Sequence, residues 1–469
     1  MLNDTPSFVL VGHANQGKSS IVSTLAYDDS VAISSIPGET VVTELFALKI
    51  DGKTLYRLYD TPGFQNPRKV LDYLQKNETT IRQRPQILAK FLQENIYNPR
   101  FKDEIELLKP IVDGGTIIYI IDTSKPYSQE YEVEMEILSW SARPSMALLN
   151  NIGDDDYSQE WMVALRQYFN IIHRFNPIEV TFKEKVKLLQ KFALLDLERE
   201  KELEEVIEIL KQDYNNRIEK TANLITEYAY KSISYRVRSS QVLQKISVKD
   251  KEFFESKYKN DLINFEKTLQ KDIQNIWGHV KKDTYMDEYI LSKSELFSKE
   301  FSDDGLVKKS LIALSTTTGG AVAGVTTFAF SAPSSALDGG VTTASATVLS
   351  TIGGATAGFV GGVFGYKKFL NTSIVGSFIG EKKIQIGPMQ NLQFLFILSS
   401  RNIEFANAVL NRSHAYREKI KIKDNSAQNL FDENERKAIS KIHNNFKKNK
   451  DIEKTKKIYH SLIREKIMA

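Results

Sequence analysis

Residues 12–19 read Gly-His-Ala-Asn-Gln-Gly-Lys-Ser, a complete G-x-x-x-x-G-K-S run directly behind the apolar stretch Ser7-Phe-Val-Leu-Val11. The next stretch, Ser20-Ile-Val-Ser-Thr-Leu25, has helical character. No other feature limits the fold so tightly. A strand that turns through glycines into a helix offers a row of backbone N–H groups and a positive helix end to an anion. Gly12, His13, Ala14, Asn15, Gln16, Gly17, Lys18, Ser19 and Ser20 are the candidate cradle for a triphosphate. Lys18 is expected on the outer phosphates and the Ser19 hydroxyl on Mg²⁺. This context predicts an α/β P-loop domain, doubly wound around a mostly parallel sheet.

Residues 1–196 carry the pattern such a sheet requires. Candidate strands at 7–12, 41–50, 53–60, 115–122, 145–150 and 171–175 alternate with helical segments, and 182–196 reads as the closing helix. One stretch is too long for a compact nucleotide domain. Between Gly63 and Gly115 the chain adds helical patterns of its own, such as Lys69–Leu74 and Ile87–Leu92. Residues 64–114 are therefore read as an insertion in switch II, and insertions of this size are usually functional.

Asp60-Thr-Pro-Gly63 ends the strand that begins at Lys53. An acid there holds Mg²⁺ through water, and the Gly63 N–H can sense a γ-phosphate. Between the two motifs lies Ile36-Pro-Gly-Glu-Thr40, where Thr40 can swing in to complete the Mg²⁺ shell, with Thr43 as the alternative. Lys18, Thr40, Asp60 and Gly63 form the expected catalytic set, and Ser19, Thr40 and Asp60 the Mg²⁺ set. Phe64 comes directly after the motif where Ras-like enzymes place a water-orienting Gln, so turnover is expected to be slow or partner-stimulated.

The run G-H-A-N-Q-G-K-S … P-G-E-T … D-T-P-G-F resembles the Era/TrmE branch of translation-factor-related GTPases. More narrowly, the chain resembles bacterial proteins that join such a domain to a C-terminal domain of unknown function. Further stretches carry that resemblance: Tyr119-Ile-Ile-Asp122, Glu136-Ile-Leu-Ser-Trp-Ser-Ala-Arg-Pro144, Leu148-Leu-Asn150 and Ile386-Gly-Pro-Met-Gln-Asn391. The resemblance implies GTP as substrate, GTP hydrolysis and, through Asn15 in the loop, a K⁺ site beside the phosphates. Base recognition departs from it. Where a GTPase has N-K-x-D, this chain has Leu149-Asn-Asn-Ile-Gly-Asp-Asp-Asp156. Asn150 takes the Asn place, Asn151 the Lys place and Gly153 the Asp place, with Asp154 one residue late. Asn150 and Asp154 are the candidate base contacts, and guanine comes from the resemblance rather than from these residues.

Beyond 196 the character changes. Residues 197–309 are rich in helix formers and hold no proline, which predicts a helical stalk, with amphipathic stretches at 215–245 and 250–300. From Ser310 to Leu337, and again from Gly339 to Tyr366, there is no Asp, Glu, Lys, Arg or His. Glycines recur every fourth residue at Gly320/Gly324 and Gly354/Gly358/Gly362, a spacing that lets helices approach closely in lipid. Lys308-Lys309 and Lys367-Lys368 flank the block. A glycine-rich helical hairpin over 310–370, in the membrane or self-associating, is the leading expectation; a soluble helical pair packed on the stalk is its rival. The last region, 371–469, is read as helical with a basic tail. Residues 411–469 hold 16 Lys/Arg against 8 Asp/Glu, which suits anionic lipid or RNA.

Without cysteine there is no disulfide or thiolate chemistry. The six histidines show no pair at metal-ligand spacing. The start of the chain lacks a basic leader, so the nucleotide domain is expected in the cytoplasm, at the inner membrane if the hairpin inserts. The sequence supports three readings: a membrane-associated GTPase switch, an RNA- or ribosome-associated switch, and a dynamin-like or pore-forming effector.

Overall fold

The computed structural model describes residues 5–13, 15–27, 42–239, 247–279, 372–376, 382–390, 392–415 and 430–468. Ala14, Thr40 and the glycine-rich block 310–370 lie outside these. Contacts divide the chain into two compact units. The first is Met1–Asn215 with Gly278–Lys281 and Asn411–Glu418; the second is Asn216–Trp277, Lys282–Leu410 and Lys419–Ala469.

The first unit is built on six strands: β1 (Ser7–Val11), β2 (Glu44–Ile50), β3 (Lys53–Asp60), β4 (Thr116–Asp122), β5 (Ser145–Asn150) and β6 (Ile171–Arg174). They lie in the order β2-β3-β1-β4-β5-β6. β1 pairs in parallel with β3 and β4, β4 with β5, and β5 with β6, while β2 joins β3 as an antiparallel hairpin. Alternation explains why the central strands read as unbroken apolar runs. Phe8 and Leu10 of β1, with Ile118 and Ile120 of β4, enter one core; Val9, Val11, Ile117, Tyr119 and Ile121 enter the other.

Helices cover both faces. α1 (Lys18–Ala26) and α7 (Phe182–Leu195) lie over the first core, where the opening turns of α8 (Glu200–Ser234) add Leu203, Val206, Ile207 and Leu210. α7 starts at a capping box between Thr181 and Glu184. Over the second core lie α5 (Glu130–Ser139), α6 (Ser158–Leu165) and the insertion expected at 64–114. That insertion forms α2 (Pro67–Asn77), α3 (Arg84–Asn95) and α4 (Lys102–Val112). Val70, Leu74, Leu88, Phe91, Leu107 and Leu108 are fully buried, so its helices are part of the core. At the far end of α1 two short pieces of the C-terminal half complete the unit. Ser23 Oγ donates to the His414 carbonyl at 3.1 Å, and the Thr24 and Ser413 hydroxyls are 2.9 Å apart.

The second unit is helical with one addition the sequence reading lacks. α8 does not continue to 245. It ends at Ser234, and β7 (Val237–Arg238), β8 (Thr372–Gly376) and β9 (Lys382–Ile386) form a three-stranded antiparallel sheet in the order β7-β9-β8. β8 and β9 are close in the chain, whereas β7 joins them from far upstream, so its pairing has no local signature. α9 (Val248–Ile276) opens on a capping box between Ser247 and Asp250. α10 (Leu392–Leu410), α11 (Glu433–Lys448) and α12 (Ile452–Met468) pack together around Phe394, Phe446 and Tyr459. The turn Gly387-Pro-Met389 packs tightly on Tyr235. A Cβ on Gly387 would stand 2.2 Å from the Tyr235 carbonyl oxygen, at a φ of +87°. Among the described residues no helix is long and apolar enough to cross a membrane.

Candidate nucleotide site

Strand order places the site. Successive connections leave β1 on opposite sides, and ligands of such sheets sit beyond the carboxyl ends of the strands at that point. There the sheet brings together the ends of β1 (Gly12), β3 (Asp60), β4 (Asp122) and β5 (Asn150).

The loop between β1 and α1 is tightly specified. A Cβ on Gly12 would meet the Ile120 carbonyl oxygen at 2.5 Å, and one on Gly17 would meet Asn150 Nδ2 at 2.4 Å. Gly17 and Asn15 both hold positive φ, 85° and 63°. Lys18 folds back over the loop, and its Nζ donates to the Gly12 carbonyl at 2.8 Å and the His13 carbonyl at 2.9 Å. Burial pulls its ammonium below the usual lysine range, opposed by the charges of Asp60 and Glu134. The amine is thus held where an outer phosphate would replace two carbonyls.

Ser19 Oγ donates to Asp60 Oδ2 at 2.7 Å, bringing the two expected Mg²⁺ residues together. Thr61 Oγ1 donates to the Leu10 carbonyl at 2.6 Å and fixes the backbone after Asp60 beside β1. Burial pushes the Asp60 carboxyl up; the Ser19 hydrogen bond and the Lys18 charge oppose it. Its Oδ1 is buried with no hydrogen-bond partner among the described residues. A hydroxyl and a carboxylate with an unsatisfied oxygen form a hard, all-oxygen pair. Mg²⁺ suits it, because that ion keeps waters and takes phosphate oxygens for the rest of its shell. Gly63 lies just past β3 and is half-buried.

The base end is looser. Asn150, buried at the end of β5, donates through Nδ2 to the Gln16 carbonyl at 3.0 Å and ties this strand to the phosphate loop. Asp122 Oδ1 accepts from the Ser124 and Ile152 amides. Residues 151–157 are exposed. Asp156 is engaged by the Ser158 amide and Arg174, whereas Asp154 stands in the exposed part of the loop.

Three buried acids around the site escaped the sequence reading. Glu134 of α5 is 1% exposed; His13 Nε2 lies 2.9 Å from its Oε1, and the Tyr119 hydroxyl donates to its Oε2 at 2.9 Å. His13 is thus a loop residue braced from behind. Glu104 of α4 accepts from the backbone of Gln65 and Asn66, and Asp122 closes the base loop. Asp122 ends the Tyr119–Asp122 stretch of the resemblance without a site role there, and Glu104 and Glu134 stand in no motif. Glu134 is one of four glutamates in α5 and Glu104 one of three acids in α4, so nothing local singled them out.

Residues 7–151 match the model of the 50S ribosome-binding GTPase family, which identifies the first unit as a GTPase domain. GTPase Der of Agathobacter rectalis is 36% identical over 74 residues, 16% of this chain and 17% of that protein. The chain thus spans about a sixth of that relative's length. A structure of Era with MgGDPNP and part of 16S ribosomal RNA aligns at 15% identity and a TM-score of 0.28, covering 40% of this chain and 56% of that one. Era from Aquifex aeolicus with GDP·AlF4⁻ aligns at 12% identity and a TM-score of 0.27, covering 58% and 90%. Neither alignment bears on substrate or partner. The rest of the molecule matches one further model, a domain of unknown function, DUF3482, over residues 163–466. That span is more than half of the chain, and the chain belongs to the DUF3482 family, with a GTPase domain at its front.

Proposed function

We infer that this protein is a Mg²⁺-dependent GTP-binding and GTP-hydrolysing switch whose nucleotide state is passed to its C-terminal domain. The observation that carries this is the Ser19–Asp60 pair, with its unsatisfied Asp60 oxygen, beside a lysine held over a glycine-shaped loop. When bound, Mg²⁺ would be held by Ser19 and Asp60 and would neutralise charge on the β- and γ-phosphates. Lys18 exchanges its two carbonyl partners for phosphate oxygens. Thr40 or Thr43 and the Gly63 N–H close on the γ-phosphate, and Asn150 and Asp154 meet the base. Asn15 offers a side-chain oxygen for K⁺ beside the phosphates.

Coupling to the C-terminal domain has a physical route at each end of α1. The helix starts at the phosphate loop, and its last turn is bonded to Ser413 and His414. Output at a membrane through 310–370 rests on the charge-free glycine-rich composition of that block. Lys441, Lys448, Lys450, Lys454 and Lys457 on α11, α12 and their turn are exposed and make no ion pair among the described residues. That surface suits an anionic partner, and we assign it to lipid because it shares a unit with the strand that rejoins the chain after the glycine-rich block.

Nucleotide competition on the full chain tests the core of this reading. GTP should displace a fluorescent GDP in the presence of Mg²⁺, and ATP should not. Equal displacement by ATP would remove guanine specificity, and none by either would remove the switch. Turnover in K⁺ against Na⁺ buffer tests Asn15; equal rates exclude its role. Retention in the membrane fraction after high-salt washing supports the hairpin, and release by salt with bound RNA favours the RNA-associated alternative.

A further inference from the structure

We propose that Glu104 is a positioning residue that makes the γ-phosphate-sensing strand end depend on the switch II insertion; the role rests on the GTPase reading above. Glu104 is the third residue of α4, where a glutamate ordinarily turns back to its own helix's first amide. Here it turns outward. Its Oε1 accepts from the Gln65 N–H at 2.9 Å and also from the Asn66 N–H. The residue is 0% exposed, and its Oε2 has no hydrogen-bond partner among the described residues. A carboxylate is kept dry only where its bonds compensate strongly, and two charge-assisted N–H bonds do so.

The position of those amides gives the bond its meaning. Gln65 lies two residues after Gly63, and the first helix of the insertion begins immediately after Asn66. Asn66 Nδ2 also donates to the Arg100 carbonyl at 3.1 Å, just before α4. The chain leaves the switch at 66, makes α2 and α3, returns at 100, and is pinched shut there by Glu104. An excursion of this length would otherwise uncouple the Asp60–Gly63 strap from the helix beyond it. Glu104 joins them again.

The same helix holds the other switch. Thr43 Oγ1 donates to the Glu106 carbonyl at 2.8 Å, and the Thr43 amide donates to Glu106 Oε2 at 3.2 Å. Thr43 is three residues after Thr40. One turn of α4 therefore holds both Thr43 and the backbone just past Gly63, and α4 packs against α3 of the insertion. A ligand that shifts the insertion shifts both switches. GDP, whose phosphates rest on the 12–19 loop alone, is indifferent to that shift.

The test uses the purified full-length protein, with GTP and GDP affinities measured by displacement of a fluorescent nucleotide and hydrolysis measured in single turnover. Glu104→Ala should lower the ratio of GTP to GDP affinity about tenfold and slow hydrolysis by about as much, with GDP affinity nearly unchanged. Glu104→Gln keeps an acceptor oxygen and should recover most of both. Thr43→Val should lower the ratio about threefold. An unchanged ratio in Glu104→Ala, or equal losses for GTP and GDP, overturns the proposal. If Glu104→Ala does not fold, unchanged ratios in both Glu104→Gln and Thr43→Val overturn it instead. A wild type that binds no GTP refutes the switch reading and this role together. Variants that match a GTP-hydrolysing wild type refute this role alone.

Discussion

The two units spend their buried polar groups differently. In the first, Lys18, Asp60, Asn150, Glu104 and Glu134 come from five separate elements, and the first three converge beyond the ends of β1, β3 and β5. In the second, buried polar residues are spread through the helical core, some in pairs and others, such as Tyr258 and Asn402, with a buried polar atom that has no hydrogen-bond partner among the described residues. Ser399 meets Tyr459 hydroxyl to hydroxyl at 2.7 Å, Arg401 lies 3.4 Å from Glu266, and Trp277 Nε1 donates to Thr221 at 3.1 Å. Convergence of polar groups from several strand ends on one place is the mark of a ligand site; polar groups spread through a helical core are the mark of packing. The contrast assigns chemistry to the first unit and structure to the described part of the second.

Substitutions can break that contrast. The largest effect is expected from Lys18→Ala, which should weaken nucleotide binding about a hundredfold or more while barely changing stability, because a desolvated ammonium is removed. Isothermal titration and thermal melts read the two quantities separately. Gly387→Ala should do the reverse. Its Cβ meets the Tyr235 carbonyl at a positive φ, so the second unit should lose about 2–4 kcal/mol with nucleotide affinity unchanged, as urea melts with and without GTP would show.

A third expectation concerns pH. Burial, helped by Lys447, lowers His443 from 6.5 to about 4. Its neutral form belongs to the folded state, so its contribution is fully present above pH 6.5 and lost as pH falls from 6.5 towards 4. The full loss is about 3 kcal/mol. His443→Gln should flatten that slope in urea melts between pH 7.5 and 5. The smallest change is expected at the exposed base loop. Asp154→Asn should lower GTP affinity only about tenfold and raise that for xanthosine triphosphate, whose O2 accepts where guanine donates. No change in base preference would move base recognition to another residue.

Much of the first unit was legible because its signals are local. Central strands buried on both faces are continuous apolar runs, and observed strands such as Lys53–Asp60 and Ser145–Asn150 match the expected ranges. Glycine spacing marked the phosphate loop because only glycine accepts the close approaches at 12 and 17. The 64–114 insertion resisted reading at one point. An acid at 104 looks like any helix-start acid until the fold brings residues 65 and 66 against it. The sheet of the second unit was hidden for a similar reason, since Val237 finds Ile386 only across a long separation.

By itself, then, the sequence determined the P-loop domain, the order of its motifs and the helical character of most described residues beyond 196, because backbone geometry and burial periodicity are written residue by residue. Only the tertiary structure decided that Ser19 and Asp60 share a hydrogen bond, that Asn150 braces the phosphate loop, and that one turn of α4 bonds both Thr43 and the backbone of Gln65 and Asn66. Each of these is a contact between segments distant in the chain, and its energy depends on burial that no local pattern records.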